Sequence, residues 1–337
     1  MTTIYDIAKK TGFSITTVSR ALNNYTDVSE KTKKKILEAV DEMGYYPNSI
    51  ARSLTTKKSW TIGVIFVEDL GVGMKHPFFS AVIESFKQNV EALGYDIIFL
   101  SQNIGGEEKS YVDHAIHRGV DGIIVMCSDF DDVEVQKLIE SPIPSLVVDL
   151  HSDKSSVIYS DNYRGSILAV DHLVELGHRN IAHIKGSEQT YAGLERLRGF
   201  RSGMEKHQLD VPSSYIADGG FFSYEGGYEA MQNILALGEK RPSAVFVSGD
   251  NMALGALKAC KEAGVSVPDD LSIVGFDDIE ISKHITPALT TVRQDTDLIG
   301  KKASEVLVHQ INTRSRDYAV VMIPVSLVVR ESTKAVK

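Results

Sequence analysis

Between residues 3 and 44 the apolar side chains recur at the three- and four-residue intervals of a helix face. Ala8, Val18, Leu22, Ile36, Leu37 and Val40 supply them, and Thr3, Ser14 and Ser29 stand at the heads of the three runs. There a hydroxyl can accept an N–H that the first helical turn leaves unpaired. The pattern predicts three short helices, the last stopped by Gly44. From Trp60 onward the period changes. Continuous apolar runs rich in β-branched residues, TIGVIFV, YDIIFL, VDGIIVM and PSLVVDL, alternate with helical patterns such as FFSAVIESFKQNVEALG and DDVEVQKLIE. Runs that are apolar without alternation are buried on both faces, the condition of a parallel sheet. The alternation repeats through NIAHIKG, SAVFVSG and LSIVGFDD, and so predicts two doubly wound α/β halves in succession.

Between the helical unit and the first strand lies YYPNSIARSLTTKKS. Pro47 interrupts the helical pattern, Asn48 can cap, and Ser49 to Leu54 make one or two turns, too few to hold a helix unaided. The segment predicts a hinge that folds conditionally.

Composition adds little by itself. Of 337 residues, 43% are hydrophobic and 24% charged, ordinary values for a folded protein of two or three units. Charge distribution changes the picture. The chain carries −9, yet residues 1–60 hold ten Lys or Arg against six Asp or Glu, a net of +4, which leaves −13 on the remainder. A basic end on an acidic body points to nucleic acid at that end.

The stretch GFSITTVSRAL has the form such a contact needs. In a helix-turn-helix the second helix enters the major groove with its N-terminal residues at the base edges. Ser14 would cap that helix, Gly12 would make the turn before it, and Val18 and Leu22 would pack inward. Ile15, Thr16, Ser19 and Arg20 are left to face DNA. Arg can bond a guanine edge bidentately, Thr can bond or set its methyl against thymine, and Ile offers apolar contact.

The run TIYDIAKKTGFSITTVSRALNN, followed by VSEKTKKKILEAVDEMGYYPNSIARSL, resembles the headpiece of the lactose-repressor and galactose-repressor family of bacterial transcription factors, and the likeness continues almost to the end of the chain. The resemblance implies that Ile15, Thr16 and Arg20 read operator bases and that Leu54 wedges into the minor groove. It also implies a fold: a small all-α helix-turn-helix headpiece plus an α/β periplasmic-binding-protein-like body of two doubly wound subdomains. The boundaries expected are 1–46 for the headpiece and 47–59 for the hinge. The N-terminal subdomain is expected at 60–160 and 293–321, and the C-terminal subdomain at 161–292 and 322–334.

In open α/β sheets ligands bind beyond the carboxyl ends of the strands. Those ends read HPFF, MCSD, VVDL, SDN, GDN and GFDD here, rich in groups that suit sugar hydroxyls and ring faces. The resemblance assigns effector contacts to Phe78, Phe79, Asp149, Asp161, Arg196, Phe222, Asn251, Asp277 and Gln294. Arg196, Asn251 and Asp277 stand in clean matches, ERLRGF, GDNMALGAL and VGFDD, whereas the three phenylalanines are equally suited to a core. The loop EDLGVGMKHPFF is longer than the family's usual linker. Neutral Gln189 and Thr190 occupy the place where the purine-binding relative has a basic contact, which favours a neutral sugar.

Other chemistry finds no support. Gly71-x-Gly73 lacks a third glycine and follows Glu68 and Asp69, which would repel a pyrophosphate. His114 and His117 share a helix face but have no further ligand, and are expected on solvated surface. Cys127 and Cys260 have no ligand spacing and read as buried thiols of a reducing compartment. No G-x-S-x-G elbow accompanies HSDKSS. No signal core or long apolar run occurs. The expectation is therefore a cytoplasmic homodimer, without metal, cofactor, membrane contact or catalysis. It would bind pseudo-palindromic operator DNA and a small carbohydrate effector, and the absence of a C-terminal leucine heptad speaks against a tetramer. A purine co-repressor, or a phosphorylated carrier protein acting on a global carbon-catabolite regulator, is the alternative.

Overall fold

The computed structural model describes residues 2–23, 25–46, 58–66, 73–126, 132–150, 152–315 and 317–336. The expected hinge residue Leu54, and Cys127, lie outside the described residues. The chain divides into two compact units, Met1–Trp60 and Thr61–Lys337.

The first unit holds α1 (Ile4–Thr11), α2 (Ile15–Leu22) and α3 (Glu30–Glu42). Each begins where the hydroxyl residues predicted. Thr3 and Asp6 form a capping box, Ser14 Oγ accepts from the Thr17 N–H at 3.1 Å, and Ser29 Oγ accepts from Thr32 N–H at 3.3 Å. Gly12 has φ 76°, the left-handed conformation that lets α1 stop and the chain turn into α2 without a Cβ clash. Ile7, Val18, Ala21 and Ile36 make the small core, with Leu22 and Val40 packed at its edge. Leu37, counted with the apolar stripe, is exposed, because the stripe of α3 is narrower than the run of apolar letters suggests.

The second unit is built on two six-stranded sheets. In chain order the elements are β1 (Thr61–Phe66), α4 (Pro77–Ala92), β2 (Asp96–Leu100), the two-residue pair β3 (Asn103–Ile104) and β4 (Glu107–Glu108), α5 (Tyr111–Arg118), β5 (Gly122–Met126), α6 (Val133–Glu140), β6 (Ser145–Val148) and β7 (Ser156–Ser160). Then follow α7 (Asn162–Glu175), β8 (Ile181–Lys185), α8 (Tyr191–Lys206), β9 (Ile216–Asp218), α9 (Tyr224–Leu235), β10 (Ala244–Val247), α10 (Asp250–Glu262), β11 (Ser272–Asp277), β12 (Thr290–Arg293), α11 (Thr296–Thr313), β13 (Val320–Ile323) and β14 (Ser326–Val328).

The first sheet runs β13-β7-β6-β5-β1-β2, all parallel, and the second β14-β12-β11-β10-β8-β9, parallel except for β14. Helices cover both faces of each sheet, which is why β5, β6 and β10 are buried at every position. In the second sheet, Phe200, Phe246 and Phe276 pack under α7 and α8, while Met231, Met252 and Leu271 pack under α9 and α10.

The chain passes between the sheets three times: after Ser160, after Arg293 and after Ile323. The sequence pattern places the second passage before Arg293 and the last before Met322; Arg293, however, pairs with Asp277 in the second sheet. Met322 and Ile323 instead pair with Tyr159 and Ser160 in the first sheet, a strand-pairing choice that hydrophobic pattern does not encode. His114 also departs from expectation. It is buried, with Nδ1 2.7 Å from the Ser101 carbonyl oxygen, so a backbone partner just after β2 draws it inward.

Candidate functional site

The carboxyl ends of the strands gather the polar groups. Asp149 follows β6, Ser160 ends β7, Ser248 follows β10, Asp277 ends β11 and Gln294 follows β12. Arg196 lies in the second turn of α8, buried to 3% exposure, and holds these ends together. Its Nε donates to Asn162 Oδ1 at 2.8 Å, Nη1 donates to the Ser248 carbonyl, and the same nitrogen lies 3.5 Å from Asp277 Oδ1. The guanidinium sits 3.8 Å from the ring centre of Phe276 and 5.5 Å from that of Phe222, so its charge is answered by aromatic faces as well as oxygens. Gln294 Nε2 donates to Asp277 Oδ1 at 2.7 Å.

What is left unpaired defines the site. Asp149 Oδ1, Asp277 Oδ2 and Gln294 Oε1 are buried acceptors without a hydrogen-bond partner; the ring nitrogens of His76 and the Ser160 hydroxyl are likewise buried without one, and the Asn162 amide, a donor, lies against the Asp149 carboxylate. Such atoms carry a desolvation cost of about 1–3 kcal/mol each until a partner arrives. Burial, with Asp277 nearby and against the attraction of Arg196, pushes the Asp149 carboxyl up to about 6. Burial likewise raises Asp277, despite Arg196 and Gln294. Asp250 is raised by burial and by the charge of Asp277. It accepts from Ser282 Oγ at 2.7 Å, Thr291 Oγ1 at 2.6 Å and the Ile279 N–H at 3.0 Å, and so ties the loop after β11 to β12. His76 is pushed down to about 4 by burial and by Arg196, and is neutral at pH 7.

Strain is concentrated at the same place. Of the seven non-glycine residues with positive φ among the described residues, four are Asp149 (54°), Phe222 (56°), Asp277 (117°) and Asp278 (59°). Residues in this region cost of order 1–3 kcal/mol each and persist when their surroundings over-determine them. Asn251 Nδ2 donates to the Phe222 carbonyl at 3.2 Å and holds that turn. Gly186 is what admits the ring: a Cβ there would stand 2.4 Å from Phe222 Cζ.

The structure therefore brings together Asp149, Arg196, Phe222, Asn251, Asp277 and Gln294. Phe79 meets His76 at 5.5 Å between ring centres and Phe66 at 5.4 Å, whereas Phe78 is buried to 4%. Asp161 caps α7 through the Arg164 N–H at 3.0 Å and lies in a neighbouring cavity.

In the first unit, Ile15, Thr16 and Arg20 are exposed on α2 and Ser19 is half-buried. Arg20 pairs with Asp27 at 2.7 Å and lies 5.3 Å over the ring of Tyr25. Lys35 donates to the Thr11 carbonyl at 3.2 Å and covers Phe13, so it joins α3 to the end of α1.

The chain carries a helix-turn-helix with a capped, exposed second helix and an α/β unit whose strand ends converge on unpaired groups, and known proteins match both. Residues 3–48 match the family model "Bacterial regulatory proteins, lacI family", and residues 170–333 match "Periplasmic binding protein-like domain". The HTH-type transcriptional repressor PurR of Edwardsiella ictaluri is 36% identical, with 98% of this chain and 97% of that protein covered; its counterpart in Vibrio campbellii is 35% identical with 99% of each covered. The chain belongs to the lacI family of bacterial regulatory proteins. Among solved structures, the Lac repressor dimer bound to operator and the anti-inducer ONPF superposes with a TM-score of 0.85 at 30% identity, with 99% of each chain covered. The CelR–cellobiose complex superposes with a TM-score of 0.73 at 27% identity, with 98% of this chain and all of that one covered.

In this lacI-family protein four residues of the cluster were passed over in the sequence. His76 stood in the quoted HPFF and Asn162 in SDN, but nothing in either motif separates a cleft-facing side chain from a capping one. Ser160 and Ser248 are strand-end serines of ordinary appearance, and the latter contributes its backbone carbonyl. Only three-dimensional convergence on Arg196 distinguishes them.

Proposed function

We propose that this regulator is a cytoplasmic homodimeric repressor without enzymatic activity. It reads a pseudo-palindromic operator through Ile15, Thr16, Ser19 and Arg20 of paired headpieces, with Leu54 as a minor-groove wedge. Its operator affinity is set by a neutral, hydroxyl-rich effector, a sugar, held between the two sheets by Asp149, Arg196, Phe222, Asn251, Asp277 and Gln294, with Phe78 and Phe79 on the first-sheet side and Asp161 beside them. The division into headpiece, hinge and two subdomains belongs to this reading, with the passages between subdomains after Ser160, Arg293 and Ile323. Support comes from the Lac repressor and PurR likenesses and from the two-sheet body.

One observation carries the effector class. The unpaired atoms are chiefly acceptors, Asp149 Oδ1, Asp277 Oδ2 and Gln294 Oε1, while the guanidinium of Arg196 is already committed to Asn162, Ser248 and Asp277. Such a site wants hydrogen-bond donors without negative charge, as sugar hydroxyls supply. A second reading, a purine co-repressor, is favoured by the PurR relatives, and purine N–H groups are donors too.

Thermal shift of the full-length protein against simple sugars, disaccharides, hypoxanthine and guanine separates the two. A bound ligand at about 100 times its dissociation constant should add about 2.7 kcal/mol. Operator binding, measured by fluorescence anisotropy on a palindrome selected from random DNA, should then change with the same compound and lose that response in Asp277→Ala. Stabilisation by the purines alone would replace the sugar reading.

A further inference from the structure

His183 is an imidazole set wholly inside the core of the second sheet. It lies on β8 in register with Phe246 of β10, and its ring is stacked between Phe200 of α8 at 4.7 Å and Phe246 at 4.8 Å, with planes at 17° and 18°. A phenylalanine would fill such a stack as well. What the imidazole adds is two ring nitrogens, and both are engaged. Nδ1 lies 3.0 Å from the Phe246 carbonyl oxygen and Nε2 lies 3.3 Å from Ser248 Oγ.

The partners fix where the hydrogen sits. A carbonyl oxygen only accepts, so Nδ1 carries the hydrogen and Nε2, left with its lone pair, accepts from the Ser248 hydroxyl. Burial pushes His183 down to about 3 despite the Phe246 carbonyl, with Lys185, Arg196 and Arg201 adding to the fall, so the ring is neutral. Ser248, fully buried just past β10, then has each polar atom committed. Its N–H donates to the Ile184 carbonyl at 2.9 Å, its hydroxyl donates to His183, and its carbonyl accepts from Arg196 Nη1. Asn162 and Asp277 answer Arg196 with side-chain oxygens, whereas Ser248 answers with a main-chain one, whose aim depends on how the end of β10 is held.

We propose that His183 is a positioning residue of the effector site: through the hydroxyl of Ser248 it sets the direction of the carbonyl that holds the Arg196 guanidinium. This rests on the effector reading above, because it bears on binding only where Arg196 borders the ligand. Without the imidazole, Ser248 Oγ is a buried hydroxyl with no acceptor, and turning to find one tilts the peptide that Arg196 depends on.

Solid-state NMR of the full-length protein, carrying isotope-labelled histidine and arginine nitrogens, tests this without any effector. His183, assigned by the signal missing from His183→Phe, should show its hydrogen on Nδ1 and a bare Nε2. The Arg196 guanidinium signals should move in His183→Phe, which keeps the ring stack, and similarly in Ser248→Ala, with no further movement in the double variant. A hydrogen on Nε2, or Arg196 signals that stay in place in both single variants, overturns the proposal. If His183→Phe fails to fold, the tautomer and Ser248→Ala decide it. Calorimetry with cellobiose, lactose, hypoxanthine and guanine supplies the functional half. Whichever of these the unaltered protein binds should bind about ten-fold more weakly to each single variant, and no more weakly to the double one. Lower melting with unchanged affinity would leave His183 a packing residue and overturn its positioning role. Failure of the effector reading looks different: none of the four compounds binds the unaltered protein, while the Arg196 signals still respond to both substitutions.

Discussion

The outer face of α2 and the cleft at the strand ends hold the same kinds of group under opposite conditions. On α2 the Arg20–Asp27 pair lies half in water, at 47% and 49% side-chain exposure. A pair of that kind contributes about 0–1 kcal/mol, so Arg20 can leave Asp27 for a base edge at little cost. In the cleft the Arg196–Asp277 pair is 3% exposed on both sides, its neighbours are strained, and several acceptors remain unanswered. There the charges are committed to one another by the fold, and the missing partners define what must be added. A face that reads DNA needs groups that exchange partners freely. A cleft that senses a small molecule needs groups that have nowhere else to turn.

The largest test of this contrast is Arg196→Met. It leaves Asn162 Oδ1, the Ser248 carbonyl and the buried carboxylates without their common donor, and should lower unfolding free energy by about 3–5 kcal/mol. Urea denaturation followed by circular dichroism measures it, and a loss below about 1 kcal/mol would show that the cleft is as loosely coupled as the surface of α2. Next in size is Arg20→Ala, which should cost about 1–3 kcal/mol of operator affinity and relax one base preference per half-site. Equal losses on operator and random DNA would reduce Arg20 to a phosphate contact.

A smaller effect concerns Asp149. Its folded-state pKa stands at about 6, above the ordinary 3.8, so the ligand-free fold favours the protonated acid. The penalty of keeping it ionised is present above pH 6 and is relieved as pH falls from there toward 4. A sugar hydroxyl that donates to the carboxylate reverses this preference. Effector affinity should therefore fall by up to about ten-fold per pH unit below 6, and Asp149→Asn should flatten the profile. Affinity that stays level from pH 7.5 to 5 would remove Asp149 from the set of acceptors. The smallest effect is expected for Asp27→Ala. Melting should move by less than about 1 kcal/mol, and operator affinity should hold or improve because Arg20 no longer has a competing partner. A clear loss of stability would mean that this exposed pair does structural work after all.

Much of the headpiece was legible because its signals are local. Thr3, Ser14 and Ser29 cap within three residues of themselves, and Gly12 turns the chain where it stands. The unbroken apolar strands announced a two-faced parallel sheet for the same reason: burial on both sides imposes a residue type at every position. The candidate cleft residues came from motif resemblance, and most of them do converge. His76, Ser160, Asn162 and Ser248 did not stand out, since a polar residue at a strand end looks alike whether it caps a helix, meets water or faces a cluster.

By itself the sequence determined the three capped helices, the doubly wound halves, the basic end and the residue types gathered at the strand ends, because each follows from spacing or charge along the chain. The tertiary structure alone decided that the chain passes between sheets after Ile323, that His114 turns inward to Ser101, and that Asn162 meets Arg196. It also decided which acceptors around Arg196 remain unpaired. Which partner on another element a group meets depends on geometry that no local pattern carries, and a buried group's needs are set by what the fold happens to place beside it.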